Sequence, residues 1–223
     1  MKPALAGLTL IVASAVPART GPQTSTAFSA AFGKTGSAVL KGQGQYKETV
    51  KYTPGALIEA PFGPVLVSTG QVVEASHASS GKVAAVYLRR SAQGFAVVKR
   101  FVPALEAGSS GTVAGWRISR RYGSLPVVEV EGGGTWQGYT CSLTTLLELA
   151  SGKPRELVTV PLFYDDAGAV VDKKATRIEG RIVRVIAGKS FDVEYSGSRR
   201  FSDRYVRHGD RYTLVGKSRM ETC

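Results

Sequence analysis

Residues 132–152, GGGTWQGYTCSLTTLLELASG, decide the fold. Leu143, Leu146, Leu147 and Leu149 fit one stripe of a helix, and Gly152 with Pro154 would stop it. Cys141, Leu143, Thr145, Leu147 and Leu149 also alternate with a period of two, the spacing of one strand face. The alternation runs on unbroken from TWQGYTC and returns through SGKP into ELVTVPLFY, which makes a consistent hairpin. We read the segment as strand. No other segment carries a convincing helical period, so the chain is expected to be all-β, an antiparallel sandwich or barrel-like pair of sheets with short hairpins and little helix.

The surrounding sequence supports this. From Tyr46 onward short apolar or alternating runs rich in Val, Ile, Thr and Tyr recur between Gly, Pro and Ser clusters. Three more hairpins are predicted, with turns at Ser91–Gly94, at Gly188-Lys189 and at His208-Gly209. In the second, Phe191, Val193 and Tyr195 share one face and Asp192 and Glu194 the other; in the third, Tyr205 and Tyr212 pair or lie diagonally. Residues 46–223 are read as a single β-rich domain. Residues 19–45, rich in Gly, Ser, Thr and Ala, are expected to be loosely ordered, with a short strand near Ala38–Lys41. Residues 1–18, with Lys2, an apolar run from Ala4 to Val16 and Val16-Pro17-Ala18, read as a signal peptide cleaved after Ala18. A periplasmic or secreted protein is expected, and no later run approaches the about 18 apolar residues of a membrane helix.

Two cysteines in an exported chain are expected to form one disulfide, Cys141–Cys223. Gly132–Gly134 are expected to form a loop or bend after PVVEVE, leaving Trp136 beside Gly138 on the face opposite Cys141. Trp136 there fills a core, or Trp136, Gln137 and Tyr139 form a platform for a sugar or peptide.

Lys and Arg outnumber Asp and Glu by 29 to 17, a formal charge of +12. Between Lys173 and Arg219 the count is thirteen to five, with aromatics interleaved. Such a field suits an anionic partner, and Arg199, Arg200, Arg204 and Arg207 are the candidate contacts.

Enzymatic motifs fail on spacing. GKT (33–35) and GKS (188–190) lack the Gly five residues upstream that a phosphate loop needs; Phe28 and Val183 stand there. SSGK (79–82) offers Ser-x-x-Lys, but KTG (34–36) precedes it and no Ser-Asp-Asn is present. Only His77 and His208 are available as bases, and His77, near Glu74 and Ser79, is the better candidate. Two histidines and paired cysteines leave no zinc set, and YDDAG (164–168) lacks the alternating acids of a calcium loop. No cofactor or metal is expected. The expected function is a non-enzymatic binding or structural protein of a bacterial cell envelope, with a basic face for a lipid headgroup, an acidic polysaccharide or an acidic protein, nucleic acid being the poorer fit to an exported chain. The alternative is an exported hydrolase built around His77.

Overall fold

The computed structural model describes residues 21–223; the expected signal peptide, residues 1–18, lies outside them. Strands β1 (Ala38–Gln43), β2 (Glu48–Ala60), β3 (Gly63–Val72), β4 (Gly81–Ser91) and β5 (Gly94–Ala107) form one antiparallel sheet in chain order. Strands β6 (Gly115–Ser119), β7 (Val127–Trp136), β8 (Tyr139–Leu149), β9 (Pro154–Asp165), β10 (Arg177–Ile186), β11 (Ser190–Gly197), β12 (Phe201–His208) and β13 (Arg211–Leu214) form a second antiparallel sheet, also in chain order. One sheet curls into a half-barrel, so the all-β, sandwich or barrel-like expectation holds. Within each sheet every strand pairs with its neighbours in sequence, and the chain passes from one sheet to the other between β5 and β6.

The contested segment is strand. Tyr139–Leu149 pairs with β7 on one side and β9 on the other, and the turn before Pro154 returns the chain as expected. Both faces of β8 are covered: Leu146 joins the core of the eight-stranded sheet, while Leu147 and Leu149 meet Ile58, Val65, Val67 and Tyr87 of the five-stranded sheet. Burial on both faces explains why its leucines run together and mimic a helical stripe.

The other predicted hairpins form. Ser91 pairs with Gly94, Ile186 with Ser190 and His208 with Arg211. Phe191, Val193 and Tyr195 are buried together, and Phe191 lies 4.9 Å from the ring of Tyr205 and 5.0 Å from that of Tyr212. Tyr205 and Tyr212 are therefore diagonal neighbours, since Arg207 is the residue opposite Tyr212. Full burial of a ring such as Phe191 contributes about 1.5–3 kcal/mol, and the neighbouring phenols are satisfied, Tyr212 donating to the Tyr122 carbonyl at 3.2 Å and Tyr195 to that of Pro161 at 3.0 Å.

Two expectations are corrected. Residues 19–45 are not a loosely ordered segment as far as they are described: helix α1 (Pro22–Phe32) and then β1 occupy most of the stretch. Pro22 opens the helix, Gly33 closes it at φ 68°, and Thr24, Ala27, Phe28 and Ala31 form a buried stripe on the five-stranded sheet. The spacing is helical, but residues this small give a weak apolar signal.

The second correction concerns the glycine run. Gly132–Gly134 are not a bend; they lie within β7, and the turn falls later, at Gln137-Gly138, where φ is +50° and +85°. Two residues with positive φ make the tight hairpin turn that matches strand twist. Trp136 consequently pairs with Tyr139, and its ring lies back over Gly134, the partner of Cys141. It is on the same side as Cys141, not opposite it, because the turn interrupts the alternation. The glycines serve close approach: a Cβ on Gly132 would stand 2.6 Å from the Gly108 nitrogen, and one on Gly134 2.6 Å from Ser109 Oγ. Cys141 and Cys223 form the expected disulfide, fastening the C-terminal segment to the start of β8.

Buried charge follows one rule in three places. Lys82, fully buried, has its Nζ 2.7 Å from both Glu48 Oε2 and Glu106 Oε2. Glu129 is held by Arg117 and Arg121, and Glu148 by Arg155 and Arg207. Each ion removed from water meets two of opposite sign, which offsets a desolvation cost that one partner repays poorly.

Candidate functional site

Alternation along β10–β12 sends two kinds of side chain in opposite directions. Ile178, Ile182, Val193 and Tyr195 point into the core; Glu179, Arg181, Glu194, Ser196 and Ser202 point outward, with Arg181 opposite Glu194 and Glu194 opposite Ser202. This outer surface carries an open groove of about 950 Å³ whose charged lining is Arg181, Arg184, Arg200 and Arg219 against Glu179 and Glu194.

Each arginine arrives by a different route. Arg181 stands on the strand, 80% exposed and 3.7 Å from Glu194 Oε2. Arg184 occupies the irregularity where pairing of β10 with β11 slips, at φ +45°, a conformation that costs a non-glycine residue roughly 1 kcal/mol. The bulge directs its guanidinium onto Asp192, Nε to Oδ2 at 2.7 Å, and onto Glu194. Those two carboxylates hold its pKa above the ordinary guanidinium range, through hydrogen bonds first and charge second. Arg200 sits on the turn between β11 and β12, and among the described residues no carboxylate lies within 4 Å of it. Arg219 belongs to the segment after β13 and lies over the Phe201 ring at 4.8 Å. That segment is pinned along β12 by the Val215 N–H to the Arg204 carbonyl at 2.8 Å, by Ser218 donating to Asp203, and by the disulfide. Arg200 and Arg219 are thus presented cations, without a carboxylate partner among the described residues.

The four arginines singled out in the sequence separate. Arg200 lines the groove. Arg199 is paired with Glu221, and Arg204 lies 3.3 Å from Ser190 Oγ and 3.9 Å from Asp192 Oδ1. Arg207 is not a surface contact: its side chain is 15% exposed and grips buried Glu148 at 3.1 Å. Arg219 was not among the sequence candidates; only its place beside Phe201 reveals it.

Trp136, Gln137 and Tyr139 do come together, at the exposed tip of the β7–β8 hairpin, with Trp136 42% and Tyr139 37% exposed. Tyr139 lies 6.4 Å from the Tyr164 ring. The core-filling role for Trp136 is therefore ruled out, and the turn at Gly138 lies against Gly168.

His77 is exposed in the loop between β3 and β4, and among the described residues only its backbone carbonyl is engaged, accepting the Ser110 N–H at 3.3 Å. Ser79 Oγ is committed to the Ser76 N–H at 3.1 Å and the Ser76 hydroxyl at 3.2 Å. No serine–histidine pair forms there. His208 lies exposed at the β12–β13 turn, and among the described residues no three His, Cys, Asp or Glu side chains gather as a metal set.

The chain matches no protein-family model, no curated protein and no solved structure.

Proposed function

We propose that this is a non-enzymatic binding protein of the bacterial cell envelope that holds an anionic ligand in the β10–β12 groove. The observation that carries the reading is the pair Arg200 and Arg219, presented at an open groove without carboxylate partners, beside an Arg181 only loosely tied to Glu194. A guanidinium presented without a carboxylate can take a phosphate or carboxylate bidentately, and here two such groups share one groove. The shared chemistry is a phosphate or carboxylate presented in a row, as on a membrane of acidic headgroups or along an acidic polysaccharide. The sequence of residues 1–18 and the disulfide favour an extracytoplasmic address.

Co-sedimentation tests the reading and separates the two sources. The purified protein is spun with phosphatidylglycerol vesicles, with phosphatidylcholine vesicles and with calcium-crosslinked polygalacturonate. Binding to one or both anionic supports and not to phosphatidylcholine is expected; equal binding to all three, or to none, overturns it. The hydrolase alternative has less support, since among the described residues no serine hydroxyl hydrogen-bonds the exposed His77 ring and Ser79 Oγ is engaged with Ser76.

A further inference from the structure

The inner face of the five-stranded sheet changes character along its length. Ile58, Val65, Val67, Val83 and Tyr87 are buried against β7 and β8. Beyond them the same face continues as Thr53 opposite Thr69 and Lys51 opposite Gln71. Here the second sheet no longer covers it. The chain leading into β6, from Thr112 to Trp116, crosses instead and leaves a groove of about 440 Å³ between itself and these four residues. That volume lies in the range of small-ligand sites.

Three observations characterise the groove. Trp116 lies at its apolar end, seated on Gly55, where a Cβ would stand 2.9 Å from the indole Cζ2; only glycine admits the ring there. The hydroxyls of Thr53 and Thr69 and the amide of Gln71 make no hydrogen bond to another protein group among the described residues, so short donors and acceptors line the wall unused. Lys51 stands at the rim with no carboxylate within 4 Å among the described residues. An indole next to a row of unpaired hydroxyl and amide groups matches a ligand with one apolar and one hydroxyl-rich aspect. A pyranose ring is such a ligand, its C–H face meeting the ring and its hydroxyls exchanging hydrogen bonds. We propose that the seam between the sheets, formed by Thr53, Thr69, Gln71 and Trp116, binds a carbohydrate, with Lys51 placed to meet a sugar carboxylate at the rim. This site shares no residue with the arginine groove and does not rest on it.

The chain has two tryptophans, so Trp136→Phe leaves Trp116 as the sole indole reporter. In that background, chitotetraose, cellotetraose, mannotetraose and tetragalacturonate are titrated while Trp116 emission is followed, with calorimetry in parallel. A saturable emission change with at least one of them is expected. Thr69→Val and Gln71→Leu, which leave the indole in place, should each weaken that binding about fivefold to tenfold. Lys51→Ala should weaken tetragalacturonate selectively, and Arg200→Glu with Arg219→Glu should leave the uncharged sugars unaffected. No saturable change with any of the four sugars, or binding indifferent to both Thr69→Val and Gln71→Leu, overturns the assignment.

Discussion

Arg207 of β12 crosses to β8 and holds Glu148, its Nη1 and Nη2 3.2 and 3.1 Å from Oε1, while Arg155 Nη2 reaches the other oxygen at 2.6 Å. A basic residue from the most cationic part of the chain is thus spent inside the fold. Glu148→Ala takes from Arg207 its carboxylate and leaves Arg155 with Asp210 alone, and should destabilise by about 3 kcal/mol in a urea melt. Arg207→Ala should lower the midpoint by less, since Arg155 remains, and the folded variant should bind anionic supports as wild type does.

Lys82 carries a comparable load, and its pH dependence has a definite sign. Burial alone would raise Glu48, but the Lys82 ammonium 2.7 Å from its Oε2 outweighs it and holds the carboxyl below its ordinary range. Burial would lower Lys82, and the two glutamates reverse that and push it up. The depressed Glu48 contributes stability present above about pH 4.3, lost as pH falls through its folded value; the raised Lys82 contributes stability present below about pH 10.4, lost as pH rises through its own. Lys82→Met should therefore cost most between these limits, about 3–5 kcal/mol, and the gap to wild type in thermal melts should narrow below about pH 4.

The disulfide joins residues 82 apart. Its loss by Cys141→Ser should cost about 4–5 kcal/mol on the chain-entropy account, measured by urea unfolding. Thiol titration of the unreduced, denatured protein should find essentially none.

Trp136 stands on the hairpin tip, its ring partly covered over Gly134, so Trp136→Ala should cost about 1–2 kcal/mol. Phe191→Ala, in the centre of the tyrosine cluster, should cost about 3–5 kcal/mol by the same measurement. Comparable losses from the two would contradict the placement of Trp136.

Strand period made most of the fold legible, because each hairpin is local and its turn falls on residues that suit it. Trp136 was misplaced because a non-glycine residue, Gln137, takes the first positive-φ position of its turn, while three adjacent glycines advertise a bend that does not exist. Helix α1 carried a weak signal because threonine and alanine make up its buried stripe apart from Phe28. Within the candidate site, parity held the missing information: Phe201, Asp203, Tyr205 and Arg207 alternate toward the inside, Ser202 and Arg204 toward solvent. Arg207 thus belonged with the core from the start. Arg219 carried no such mark, since its position depends on the disulfide and on Asp203 drawing the last segment along β12.

The central claim is that Arg200 and Arg219 present the binding charge. Sedimentation of the Arg200→Glu, Arg219→Glu double variant with phosphatidylglycerol vesicles and with polygalacturonate, at low and high salt, tests it most directly. Wild type should bind at low salt and release at high salt, and the variant should lose at least about tenfold in affinity while melting as wild type does. Undiminished binding by the folded variant would contradict the account.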